Sequence, residues 1–238
     1  MAKRAVPKDL READTFQTFS GRMFDYVMKH RNAVVIVLII ICAAFLAAGG
    51  LYYYKIRTES AAQRIYAEAL GSYRSLTYGG EKDRYAKAIE RYTTVRADYP
   101  DTMASRLAAY ELGNIYFILN DMEKSIGAYT DFLKETSQDT VLTSLAYNGL
   151  GYCYETLKDY PRALEAFKSS INSEKRTVSA ALAFGNVARI YEQMKDFQQA
   201  EENYRKALDQ ETDPLTERLI RRKIAIIAYK SDEEREKN

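Results

Sequence analysis

The stretch that decides the fold is "LKDYPRALEAFKSSI", which runs from Leu157 to Ile171. The chain reads "LNDMEKSIGAYTDFL" 38 residues earlier and "MKDFQQAEENYRKAL" 37 residues later. Each stretch has aspartate in third place, a small residue four positions after it and an aromatic residue four positions after that. Such a period is close to that of repeats built from two helices, so the sequence predicts stacked helix pairs.

The repeated aspartates predict the start of the second helix in each pair. A carboxylate at that place can accept hydrogen bonds from the unpaired amides of the first helical turn, so Asp121, Asp159 and Asp196 are predicted to be caps. The preceding helices each carry a small residue followed three positions later by tyrosine, which lets two helices approach closely. These pairs are Gly113 and Tyr116, Gly151 and Tyr154, and Ala188 and Tyr191.

This pattern of small, aromatic and terminal proline residues resembles the tetratricopeptide repeat, in three units from about Met103 to Pro214. An earlier unit is weaker, with Ala88, Tyr92 and Pro100 at the matching places. The resemblance implies a right-handed α-solenoid of this type. Together with the composition and the apolar run described below, it predicts an all-α chain with one N-terminal transmembrane helix, followed by the solenoid and a C-terminal capping helix. The predicted units lie near 59–100, 104–138, 142–174 and 179–212.

The remaining segments follow from composition. The cap is predicted from apolar residues at helical spacing, namely Leu215, Leu219, Ile220, Ile224 and Ile227. The predicted boundaries are a leader at 1–32, a membrane span at 33–54, repeats at 55–214, the cap at 215–229 and a frayed polar tail at 230–238.

One apolar run indicates a membrane anchor. "AVVIVLIIICAAFLAAGGLYYY", from Ala33 to Tyr54, has no charged residue and would reach about 33 Å as a helix, enough to cross the hydrocarbon core. A cleaved signal peptide is the alternative, but its apolar core is usually only about 7–15 residues long. The leader carries seven cations against four acids, which favours a cytoplasmic N-terminus and, in a bacterium, periplasmic repeats on the inner membrane.

The leader also contains three apolar residues at helical spacing, namely Phe16, Phe19 and Met23. They could form an apolar stripe that lies on the membrane or on a partner helix. The alternative is that the leader is unstructured.

The sequence offers no constellation for catalysis. His30 is the only histidine and adjoins the apolar run, and the two cysteines, Cys42 and Cys153, form no metal-binding pair. Cys153 is predicted to be a small buried residue. The formal net charge of +2 gives no reason to expect a nucleic-acid partner. We therefore expect no enzyme activity, cofactor, metal or small-molecule substrate.

The family resemblance implies that the first helices line a groove for other proteins. The candidate groove residues are Tyr110, Asn114, Phe117, Asn148, Tyr152, Glu155, Arg189 and Glu192. Family members that bind chaperone tails carry lysine where this chain has Tyr110, Asn148 and Gly185. That difference argues against recognition of a terminal carboxylate.

The order of leader, anchor and repeats resembles the ancillary subunit family of the bacterial Sec translocon, mainly around residues 33–76. The resemblance implies a membrane-anchored scaffold that holds exported proteins or periplasmic chaperones near the translocation pore. The alternative is an assembly factor of an envelope complex that serves outer-membrane assembly, secretion or cell division.

Overall fold

A computed structural model describes residues 21–74, 81–136, 141–173, 178–210 and 213–237, and these residues form helices joined by short connections without a strand. The helices are α1 (Arg31–Arg74), α2 (Glu81–Asp98), α3 (Met103–Ile118), α4 (Met122–Glu135), α5 (Val141–Thr156), α6 (Tyr160–Ser173), α7 (Val178–Gln193), α8 (Phe197–Leu208) and α9 (Pro214–Lys237). By contacts the chain divides into two compact units, residues 1–57 and 58–238.

The first unit contains the apolar part of α1. This helix is long and apolar enough to cross a membrane, and none of its most apolar 18-residue window is buried. Residues 21–29 are also helical, and Met23 is exposed there. Phe16 and Phe19, the other members of the predicted leader stripe, lie outside the described residues.

The second unit is a stack of helix pairs, as the repeat predicted. α3 packs on α4, α5 on α6 and α7 on α8, and each pair packs on the next. The first helices also meet one another, because α3 contacts α5 and α5 contacts α7. α2 packs on α3 at one end of the stack, and α9 packs on α8 at the other.

The first and weakest of the predicted repeats, near residues 59–100, is joined to the next repeat by a side-chain cap. Glu59, in the second half of α1, accepts hydrogen bonds from the amides of Met103 and Ala104 at 2.8 and 3.2 Å. These amides open α3 and would otherwise be unpaired. Tyr92 of α2 is buried as predicted, and its ring lies 5.4 Å from that of Tyr66 in α1.

The predicted aspartate caps are confirmed. Asp121 accepts from the amide of Lys124 at 3.2 Å, and Asp159 and Asp196 accept from the equivalent amides three residues later at 3.1 and 3.0 Å. Each cap follows directly on a residue with positive φ. These residues are Asn120 (60°), Lys158 (59°) and Lys195 (63°).

The positive φ explains how one helix can end and the next begin with only three residues between them. The amide of Asp159 donates to the carbonyl of Tyr154 at 2.8 Å, and that of Lys158 donates to Glu155 at 2.8 Å. These are the bonds that close a helix on a left-handed residue, a place usually filled by glycine or asparagine. The sequence pattern revealed the caps but not these turns, because lysine gives no such signal.

Replacing Asp159 by alanine should lower the melting temperature of the full chain by roughly 2–4 °C, because the first turn of α6 loses its cap. Thermal unfolding followed by circular dichroism measures the change. Asp98→Ala is the matched control: Asp98 is exposed in the last turn of α2, where a negative charge is unfavourable, so its removal should not lower the melting temperature. Equal losses in both variants would show that the cap does not stabilise the repeat.

The repeated glycines are needed because aromatic rings lie against them. A methyl group on Gly113 would lie 2.6 Å from Tyr129 of α4, and one on Gly149 would lie 2.6 Å from the same ring. The Tyr129 ring therefore lies between the first helices of two successive repeats. A methyl group on Gly151 would lie within 2.6 Å of three ring carbons of Phe167.

The C-terminal helix caps the stack with only part of its predicted apolar set. Ile220 and Ile227 are buried and Ile224 packs against them, but Leu215 and Leu219 are 58% and 55% exposed. The prediction for these two leucines was wrong because they lie outside the part of the α9 surface that contains the buried isoleucines. α9 also continues to Lys237 rather than ending at residue 229.

Candidate functional site

The predicted groove residues lie on the three first helices, which contact each other in sequence. We call the surface formed by these side chains the first-helix face. It consists of Tyr110, Asn114 and Phe117 on α3, Asn148, Tyr152 and Glu155 on α5, and Arg189 and Glu192 on α7. All except Asn148 are partly exposed.

The α3 part of the first-helix face is built on aromatic packing. The ring of Tyr110 lies 6.0 Å from that of Tyr129 and 5.5 Å from that of Phe132. The Tyr129 hydroxyl donates to Oδ1 of Asn114 at 2.7 Å, and Nδ2 of Asn114 donates to Glu111 at 3.3 Å. Because Tyr129 fixes the amide, Asn114 presents a single orientation.

Asn148 belongs to a buried network rather than to the exposed surface. Its side chain is 2% exposed, and Nδ2 donates to Oγ of Ser170 at 2.9 Å. Oγ of Ser170 also lies 2.8 Å from Oγ of Ser144. Asn186 on α7 donates to Oδ1 of Asn148 at 3.4 Å. The amide of Asn148 thus connects α5 to α6 and α7.

Tyr152 lies at the centre of the face. Its ring centroid is 6.4 Å from Phe117 and 5.3 Å from Phe167, the latter in an edge-on arrangement. Its hydroxyl accepts from Nδ2 of Asn186 at 2.9 Å. The Arg189 guanidinium lies 5.6 Å above the Tyr152 ring, so one aromatic side chain contacts both neighbouring first helices.

Charged pairs hold the α7 part of the face. Arg189 forms an ion pair with Glu155 of α5, and its Nη2 donates to Oδ1 of Asn186 at 3.1 Å. Glu192 accepts from Lys223 and Lys230 of α9, each at 3.1 Å. The C-terminal helix therefore contributes two cations to this end of the site.

Glu192 should make stability depend on pH. Burial opposes ionisation of its carboxyl group, but the hydrogen bonds from Lys230 and Lys223 outweigh it and hold the pKa below 4.5, the ordinary value. A lowered pKa means that the stabilisation is present above the unfolded pKa and is lost as pH falls through the folded one.

We therefore expect Glu192→Gln to lower the free energy of unfolding by roughly 0.5–1.5 kcal/mol at neutral pH, since solvent screens the half-exposed lysines. The difference from the unchanged chain should shrink below the ordinary carboxyl pKa of 4.5. Urea titrations across this range measure it. Glu202→Gln, which breaks an exposed pair with Lys206, serves as control and should cost less than about 0.5 kcal/mol. A Glu192 effect that is constant with pH would contradict the ion-pair account.

Four residues that contribute to the site escaped the sequence analysis, namely Glu111, Asn186, Lys223 and Lys230. Glu111 and Asn186 lie two residues before the repeated small residues Gly113 and Ala188. Comparison of that position between repeats would have found them. The two lysines of α9 lie outside the repeat, so its period gives no signal for them.

Outside the face, Cys153 is fully buried as predicted, with its Sγ 3.2 Å from Oγ of Ser125. Burial raises the pKa of its thiol, which favours the unreactive protonated form. Among the residues the structure describes, no three histidine, cysteine or acidic side chains are grouped so that they could hold a metal ion.

The fold and the face define a helical-repeat protein of the kind that binds other polypeptides. Sequence profiles described as tetratricopeptide repeat match residues 80–140, 145–176 and 181–213, just over half of the chain. The chain belongs to the tetratricopeptide repeat family. Members of this family typically act as non-enzymatic scaffolds and mediate protein–protein interactions. Comparison with curated protein sequences gives no significant match.

One of the solved structures that resemble this chain supports the fold. A tetratricopeptide repeat protein from Parabacteroides merdae aligns with a TM-score of 0.56 at 17% identity, covering 71% of this chain and 62% of that one. The MamA protein aligns with a TM-score of 0.49 at 20% identity over 64% of this chain and 72% of its own. The N-terminal domain of stress-induced protein-1 from C. elegans aligns with a TM-score of 0.44 at 16% identity, covering 50% of this chain and 93% of that one.

Proposed function

We propose that this protein is a membrane-anchored scaffold that holds a segment of another polypeptide on the first-helix face. The observation that carries the proposal is the composition of that face. Partly exposed aromatic, amide and charged side chains follow one another across three helices, and their own contacts hold them in place. Such a surface suits an extended chain or a helix, which needs both apolar contact and hydrogen-bonding groups.

Anchoring is the second part of the proposal. The apolar part of α1 has the length and hydropathy of a span, and its burial of 0% distinguishes it from a core helix. The cationic leader favours a cytoplasmic N-terminus, so we place the repeats in the periplasm of a bacterial cell. Confinement to a membrane raises the effective concentration of a weak binding face for chains that emerge there. Exported proteins, translocon subunits and periplasmic chaperones are the partners we propose.

The partner can be tested by photocrosslinking in cells that express the full chain. A benzophenone amino acid replaces Tyr110 or Tyr152, where an aromatic ring is already present, and a third variant carries it at the exposed Lys134 on α4. We expect exported proteins or translocon subunits to be captured from the first two positions and not from the third. The same proteins captured equally from Lys134 would overturn the assignment of the face.

The identity of the captured proteins separates two roles. Translocon subunits and chaperones support a scaffold for export. A stoichiometric set of envelope proteins instead supports an assembly factor of an outer-membrane, secretion or division complex.

The compartment is tested separately with spheroplasts. Protease added from outside should degrade the repeats, and a cytosolic biotinylation probe should not label them. If the repeats resist the protease and are labelled by the cytosolic probe, the periplasmic placement is disproved.

A further inference from the structure

The part of the second unit where α1, α2 and α3 meet carries an unusual carboxylate. Glu111 of α3 is partly buried, one residue from Tyr110 and three from Asn114 of the first-helix face. Nδ2 of Asn114 donates to it at 3.3 Å. In the described part of the chain Glu111 has no ion pair within 4.0 Å, although Arg74 at the exposed end of α1 is near enough to influence it.

Burial sets the electrostatics of this carboxylate. Desolvation raises the pKa of Glu111, and the Asn114 hydrogen bond and the Arg74 charge oppose that rise without cancelling it. A half-buried carboxylate of this kind gains most from a positive charge brought to it. Most other acids of the described chain that are equally buried have such a partner, as Glu192 has in its two lysines.

Tyrosines from four helices lie within electrostatic reach of Glu111. Burial raises the pKa of Tyr66 to about 12, and the charge of Glu111 adds to the effect. The same two causes raise the pKa values of Tyr92, Tyr110 and Tyr129. The rings pair with one another, with centroids 5.4 Å apart for Tyr66 and Tyr92.

One of these tyrosines has an unpaired polar atom. The side chain of Tyr92 is fully buried, and its hydroxyl has no hydrogen-bond partner among the residues that the structure describes. Buried hydroxyls without a partner are rare, because each costs free energy. The Tyr92 hydroxyl is enclosed, whereas Glu111 is partly exposed and has one amide donor and, among the described residues, no ion pair within 4.0 Å. Glu111 is therefore the group in this region that an added cation can reach.

The chemistry of the region selects a cation. Ring faces carry partial negative charge and attract ammonium and guanidinium groups. An acidic side chain would be repelled by Glu111, and an apolar one would bury the carboxylate without a partner. A long basic side chain can place its alkyl stem against the rings and its charge on the carboxylate.

We infer that the cluster of Tyr66, Tyr110, Glu111 and Asn114 accepts a lysine or arginine side chain of the polypeptide bound on the first-helix face. This inference rests on the proposed function, since it names the chemistry of the segment that the face would hold. The basic side chain fixes the register of the segment at the α3 end, and Glu111 is its specificity-determining partner.

A selection from a random linear peptide library tests both ideas with the full chain held in detergent micelles. We expect binders that share a basic residue at one position, and we expect Glu111→Gln to select binders without that enrichment. Glu123→Gln is the matched control, because Glu123 is an exposed acid in the first turn of α4. It should select the same basic position as the unchanged chain.

Fluorescence anisotropy with the best lysine peptide and its norleucine analogue measures how much the lysine charge contributes to the binding affinity. The lysine peptide should bind about tenfold more tightly to the unchanged chain and to Glu123→Gln. In Glu111→Gln the ratio of the two affinities, lysine peptide over norleucine analogue, should fall to about twofold or less. The affinity for the norleucine analogue should not change.

The outcomes separate the inference from the proposed function. Binders without a basic preference, or a lysine preference that survives Glu111→Gln, overturn the inference while the binding face stands. Failure to select any peptide above background overturns both. A loss of affinity for both peptides in Glu111→Gln would show that Glu111 acts only by supporting the fold.

Discussion

Replacing Gly151 by leucine should unfold the repeat array. A single methyl group there would lie within 2.6 Å of three carbons of the Phe167 ring. Phe167 is fully buried, so the ring has no free space to enter, and overpacking of this kind typically costs about 1–3 kcal/mol or more. Alanine alone should cost a measurable part of that amount. Urea unfolding of the full chain, followed by circular dichroism, gives the free energy.

Two further variants make this result specific. Gly127→Ala is the matched control, because a methyl group at Gly127 on α4 meets nothing within 4 Å. Alanine in the interior of a helix should stabilise by about 0.5–1 kcal/mol relative to glycine. Adding Phe167→Leu to Gly151→Ala should reduce the clash, so that the double variant loses less than the sum of the single ones. Unchanged unfolding of Gly151→Leu would show that the assigned contact is wrong.

Replacing Ile227 by alanine should destabilise the second unit by about 2–5 kcal/mol, as expected for a large residue removed from a core. Ile227 is 0% exposed, and it lies in one hydrophobic cluster with Ala200 and Tyr204 of α8. The loss arises where α9 packs on α8, which is the contact that connects α9 to the stack. Chemical unfolding of the full chain measures it.

The neighbouring residue provides the control. Ile226 is identical in chemistry but 39% exposed, so Ile226→Ala should cost less than about 1 kcal/mol. Similar losses for the two variants would mean that α9 does not cap the stack through the face that contains Ile227.

The sequence predicted most of the second unit, because the residues that pack each repeat recur at the same positions. Asp159 as a cap, Gly151 as a close contact and Phe167 as the ring that fills it follow from spacing alone, and all three are confirmed. The period carries this information since the same local geometry recurs three times.

The C-terminal helix shows where such reasoning ends. Helical spacing cannot tell how much of a broad apolar surface faces the core, so Leu219 was assigned with Ile227 although Leu219 is exposed. The choice depends on the direction from which α8 approaches, and that is a tertiary property. Lys230, which pairs with Glu192, was placed in a polar tail for the same reason.

The candidate site was predictable in position but not in detail. The first helices were expected to carry it, and the structure places the predicted side chains on helices that touch. The sequence does not show that Asn148 is buried, because asparagine is a polar residue whether its side chain faces water or Ser170. Glu111 was missed because its significance depends on its partial burial without an ion pair among the described residues, which only coordinates show.

The ring of Tyr129 has a consequence for how this chain can evolve. It occupies the space left by two glycines in consecutive repeats, and the residue that matches Gly149 in the next repeat is Asn186. Placing the repeat that contains Tyr129 directly before the repeat that contains Asn186 would bring the tyrosine ring against an asparagine side chain. The repeats look alike, yet Tyr129 fits a following repeat that has glycine at this place, so a reordered array would need a substitution at that junction.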